Sequence, residues 1–116
     1  MSMEIAVLGA LQELAVGEVF ADVAPVGTAP PYITFQAVGG APINFLDGGV
    51  PSKELTRVQV NVWATTRLEA TSIGKQAENA LRVVAGLQTT VLTGRIATLD
   101  EPTGLRGTIQ DFEFFT

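Results

Sequence analysis

The sequence predicts an α+β domain of two layers, with two helices on one face of a mostly antiparallel sheet of about four strands, in the order α-β-β-α-β-β. Three observations predict it. Residues 55–64 alternate apolar and polar without a break, as in a strand with one core face and one wetter face. Residues 66–85 carry a helix-capping pattern followed by an apolar stripe at helical spacing. The chain of 116 residues fits one domain, and no repeat or low-complexity tract divides it, so residues 1–116 are taken as a single unit.

The first helix is expected over residues 2–16. Val7, Leu8, Leu11, Leu14 and Ala15 fall on one helical face, while Glu4, Gln12 and Glu13 lie off it. Ser2 suits the N-cap, and Gly17 stands where a left-handed C-terminal residue is expected. Residues 21–31 form a connector, because Pro25, Gly27, Pro30 and Pro31 interrupt helix and ladder alike. Residues 32–38 then read as a strand, with Ile33, Phe35 and Ala37 on one face and Thr34 and Gln36 on the other.

Residues 39–54 are the least regular segment. Glycine pairs at Gly39-Gly40 and Gly48-Gly49, with Pro42 and Pro51, predict a long loop or a flexible β-arm. Asp47-Gly48 is a hairpin signal that favours an arm over residues 43–54. Ile43, Phe45 and Leu46 sit in its middle and need something to bury against, such as another chain. In the strand that follows, Val58, Val60, Val62 and Ala64 line one face and Arg57, Gln59, Asn61 and Trp63 the other.

Thr66-Arg67-Leu68-Glu69 fits a capping box and opens a helix expected to reach Val84 or Ala85. Ala70, Ile73, Ala77, Ala80, Leu81 and Val84 make its stripe, and Gly86 suits the C′ position. Arg95–Leu99 reads as a short strand, Asp100-Glu101-Pro102-Thr103-Gly104 as a turn, and residues 105–115 as a last strand with Phe112 and Phe114 on one side.

Composition narrows the function classes. Hydrophobic residues make up 47% and charged residues 16%, below the usual charged share of about 25%, which suggests that partners cover part of the surface. With no Cys and no His, disulfide frameworks, thiolate zinc sites and His-dependent triads are excluded. The formal charge of −5, with no cluster of basic residues, argues against nucleic-acid binding as the main task. No basic region precedes an apolar run at the N-terminus, and no apolar stretch approaches the ~20 residues of a membrane helix, so neither a signal peptide nor a membrane span is expected.

Carboxylates are the remaining acid–base candidates. Asp111 and Glu113 share a strand face and could hold a metal or act as acid and base, but a solvated edge-strand face explains them more simply. Asp100-Glu101 fits plain turn chemistry. Neither glycine pair matches a phosphate-binding motif. No catalytic, cofactor or metal residue is therefore assigned. Trp63 is either an interface anchor beside Arg57 or a ring packed under its own loop, against Phe45.

The strand Arg57–Ala64, followed at once by a capped helix with Glu69-Ala70, resembles the central pattern of small phage tail-completion proteins, the tail-terminator or tail-to-head joining family. Pro31-Tyr32-Ile33-Thr34-Phe35, the Gly/Asp loop and the terminal Asp111-Phe112-Glu113-Phe114 strand agree, so the resemblance spans nearly the whole chain. Ala41–Phe45 departs from it by being more apolar. The resemblance implies a structural virion protein made in the host bacterial cytoplasm. Its subunits would form a ring, typically a homo-hexamer, that caps the tail tube, ends polymerisation and meets the head connector or neck protein. DNA would pass through the lumen without specific binding, past six copies of a −5 chain. A ring interface is heterologous, so each subunit must offer two unlike patches. Ile43, Asn44, Phe45, Leu46 and Asp47 would supply one, and Arg57 and Trp63, or the first helix, the other. Two alternatives stand beside this reading. One is a neck adaptor, head-closure or tail-tube subunit of the same particle. The other is a small carboxylate-dependent enzyme or ligand-binding domain.

Overall fold

The alternation of residues 55–64 becomes the backbone of the molecule. In the computed structural model, which describes residues 3–15 and 18–116, Leu55–Ala64 pairs along its whole length with Leu105–Phe115. In chain order the elements are α1 (Met3–Leu11), β1 (Val19–Ala21), β2 (Tyr32–Ala37), β3 (Leu55–Ala64), α2 (Arg67–Arg82), a 3₁₀ turn (Ala85–Leu87), β4 (Thr90–Val91), β5 (Ile96–Asp100) and β6 (Leu105–Phe115). The sheet runs β1-β2-β3-β6-β4, with β5 also on β6. Every pairing is antiparallel except β1 with β2. The expected α+β fold is present, with six strands among the described residues rather than about four. The two additional ones, β1 and β4, are too short to show a period of two in sequence.

Both helices pack on one face. Val58, Val60, Val62 and Ala64 of β3 and Phe112 and Phe114 of β6 are at most 2% exposed. They share a core with Ile33 and Phe35, with Val7 and Leu11 of α1, and with Ile73, Ala77 and Leu81 of α2. The Phe112 and Phe114 rings stack, their centroids 6.4 Å apart. Gly74 lets α2 lie close to the sheet: a Cβ there would sit 2.8 Å from Thr108 Oγ1 and 3.0 Å from Arg95 Cδ.

The helix ends differ from expectation. The first helix stops at Leu11 rather than residue 16, where Leu14 N–H donates to Leu11 O and tightens the chain so that Ala15 enters the core. Ser2 and Gly17 lie outside the described residues. Thr66 caps α2 as expected, accepting from Glu69 N–H at 3.1 Å. That helix ends at Arg82, and Gly86 falls inside the 3₁₀ turn instead of at C′. The left-handed residue is Gln88. The additional turn carries Leu87 into the core, and Thr89 Oγ1 donates to the Leu81 carbonyl at the helix end.

Strands β4 and β5 act as one broken strand along β6. Val91 faces Phe112 and Ile96 faces Ile109, so residues 92–95 oppose only Gln110 and Asp111. The surplus residues form a bulge. Both Leu92 and Thr93 donate to Asp111 O, and Thr93 Oγ1 accepts from Asp111 N–H. Asp111 and Glu113 therefore lie on a central strand, not on the expected edge: β6 has β3 on one side and β4 and β5 on the other.

Candidate assembly surfaces

Residues 38–54 leave the sheet between β2 and β3 and carry no ladder of their own. At the base, Val38 N–H donates to Arg57 O and Arg57 N–H donates to Gly39 O. Gly40 then turns at φ +135°, where a Cβ would come within 2.4 Å of Leu55 O, so only glycine fits. The Asp47-Gly48 turn is present: Gly48 N–H donates to Phe45 O and Gly49 N–H to the Asp47 carboxylate. Its flanks do not pair into a β-arm. The segment is a long loop.

This loop exposes apolar surface. Phe45 is 51%, Val50 92% and Leu46 fully exposed. Ile43 is half-buried and lines a cleft with Met3, Val50, Pro51 and Thr116. The molecule measures 52 × 25 × 24 Å, and its radius of gyration of 15.0 Å exceeds the ~13 Å of a compact domain this long. Arg57 stands at the base of the loop and donates to Asp111 from Nε at 2.9 Å and from Nη2 at 2.5 Å. Its charge is held within the sheet face and neutralises one of the carboxylates considered for chemistry.

Trp63 lies elsewhere. It is level with Tyr32 on β2 and Gly107 on β6, about 20 Å of strand from Arg57. Its ring rests on Gly107, where a Cβ would approach to 2.7 Å. Next to it, the connector residues Pro25, Val26 and Pro30 enclose a shallow hollow with Tyr32, Thr103 and Leu105, beside exposed Val23. Of the interface candidates, Ile43, Asn44, Phe45, Leu46, Asp47 and Arg57 gather at one end of the molecule, and Trp63 stands toward the other.

One cluster escaped sequence reasoning. Glu78 of α2 accepts from Gln110 Nε2 at 2.7 Å, Arg95 Nη1 at 3.0 Å and Arg82 Nε at 3.1 Å. Gln110 also donates to Thr93 O, so helix, bulge and central strand meet here. The hydrogen bond from Gln110 holds the Glu78 carboxyl below its ordinary range; partial burial opposes this, and Arg82 and Arg95 reinforce it. Nearby, Arg67 ties the start of α2 to the sheet by donating to Gly107 O and Thr98 O, each at 2.6 Å. These arrangements brace the fold rather than present a reactive group. Among the described residues, no three of His, Cys, Asp and Glu cluster as metal ligands, and no helix is long and apolar enough to cross a membrane.

A family model described as "Tail completion protein gp17" matches residues 5–116. Among solved structures, the chain is similar to one from "Virion of native gene transfer agent (GTA) particle", with a TM-score of 0.63 and 18% identity, over 98% of this chain and 93% of that one. At that identity the likeness speaks for the fold. No curated protein matches.

Proposed function

Because this chain belongs to the tail completion protein family and is thereby a structural component of a virion tail, we propose that it closes the finished tail tube as a ring. The ring, a homo-hexamer in this reading, ends tube polymerisation and offers its other face to the head connector or neck protein. The observation that carries the proposal is the separation of two unlike apolar surfaces on one elongated domain. The loop at 39–54 projects Phe45, Leu46 and Val50 at one end, and Val23 and Val26 flank a hollow near Trp63 at the other. A patch that meets its own copy would close a two-fold dimer, whereas two different patches build a ring where the rotation closes and an open filament where it does not. The net charge of −5 per subunit suits a lumen through which DNA slides without binding.

The test is the solution mass by light scattering over a concentration series, with negative-stain imaging of the same sample after addition of purified tail tubes. Six times the 12.2 kDa chain, or a cap on tube ends, is the expected result. Open-ended tubes grown from the pure protein would make it a tube subunit instead. A monomer that ignores tubes would overturn the ring.

A further inference from the structure

We propose that the loop of one copy adds as a short strand to the free outer edge of β5 on the next copy; this rests on the ring reading and specifies its interface. Strand β5 is paired on its inner side with β6 alone. Its outer side is an open edge of exposed Ile96, Ala97 and Leu99, without the Lys or Pro that usually protects such an edge. The loop has the complementary need. The N–H groups of Ile43, Asn44, Phe45 and Leu46 have no hydrogen-bond partner among the described residues and stand open to a second chain. An added strand would exchange the water around Ile43 and Phe45 for hydrogen bonds to β5 while covering exposed Phe45 and Leu46.

One antiparallel alignment fits the chemistry. It sets Ile43 against Leu99, Asn44 against Thr98 and Phe45 against Ala97. Pro42 then falls opposite Asp100, at a position whose backbone faces away from β5. On the other side the turn brings Leu46 toward Ile96 and the Asp47 carboxylate toward the Arg95 guanidinium, so the charges are complementary. Arg95 gives Nη1 to Glu78 and keeps its other donors. The contact is heterologous, loop to edge, and can propagate around a ring.

The chain has no cysteine, so an engineered pair is unique in it. Directly opposed antiparallel residues have Cα atoms about 4.5–5.5 Å apart, within the disulfide range of about 4.4–6.8 Å. The same chain cannot close the bridge. Ala97 is level with Thr108 and Val62, about 24 Å of strand from Leu55, where the loop rejoins the sheet. The double variant Phe45→Cys/Ala97→Cys, oxidised after assembly alone or on tubes, should give a ladder of covalent multimers on a non-reducing gel. Phe45→Cys/Val83→Cys, with the second cysteine at the exposed end of α2, should not. Rings that form normally yet show no ladder would overturn the loop-to-edge pairing while leaving the ring intact. Covalent dimers from Ala97→Cys alone would also overturn it, by showing that two β5 edges meet each other. A double variant and parent chain that both stay monomeric, with and without tubes, would overturn the ring reading as well.

Discussion

Strand β3 and the loop before it are both rich in apolar residues, yet they differ completely in what those residues touch. Val58, Val60 and Val62 of β3 are at most 2% exposed, packed between α2 and the neighbouring strands. Phe45, Leu46 and Val50 of the loop are half to fully exposed. Burying a side chain of this size is worth roughly 1.5–3 kcal/mol. The β3 side chains gain it on folding, and the loop side chains leave it available for association. The first region should therefore govern stability, and the second assembly.

The largest effect should come from the stacked aromatic pair on β6. Phe112→Ala removes a fully buried ring and should destabilise the domain by about 3–5 kcal/mol, read as a drop in the urea midpoint at unchanged slope. Gly107→Ala comes next. Its Cβ would strike the Trp63 ring and Thr98 Oγ1 at 2.7 Å, so a loss of about 1–3 kcal/mol should accompany a shifted emission from the lone tryptophan. Equal stability and an unmoved spectrum would show that the open face is loosely packed.

A smaller effect, with a pH signature, should follow Glu78→Gln. In the folded state the Glu78 pKa lies below its ordinary value of 4.5. On acidification the unfolded chain therefore takes up this proton first. The stabilisation is complete above the ordinary value and disappears as pH falls through the lowered one. The variant should lose about 1 kcal/mol at neutral pH and converge with the parent in acid, as followed by urea midpoints over a pH series. Least affected should be Leu46→Ser, within about 0.5 kcal/mol of the parent by thermal melting. The same substitution should abolish ring formation by light scattering. A Leu46→Ser chain that melts far lower would break the contrast between the two regions.

The sequence made one half of this contrast plain and the other only partly so. Alternation in Leu55–Ala64 and the Thr66 cap translate directly into structure, because each rests on neighbouring residues alone. Strand β4 has two residues and exists only because Phe112 and Glu113 stand opposite. Within its helix, Glu78 looks like an ordinary surface pair with Arg82, four residues on. Its partners Arg95 and Gln110 come from 17 and 32 residues away, and only the bulge brings them in. The loop shows the opposite limit. Its apolar residues were visible in sequence, but a turn signal at Asp47-Gly48 fixes only the turn, and nothing local to it decides whether the flanking residues pair. Trp63 and Arg57 share a strand face, which in sequence groups them; the length of the strand separates them.

Strand β6 occupies the middle of the sheet but comes last among the described elements, pairing with residues 42 to 60 positions earlier in the chain. During vectorial synthesis β4, β5 and one side of β3 have no strand to pair with until it emerges. Without β6, β3 lacks its main neighbour and α2 has only part of a floor. Such high-order contacts slow folding. They also act as a proofreading step, because a polypeptide interrupted before β6 cannot complete the core and should be cleared as an unfolded fragment rather than enter a particle as a defective part.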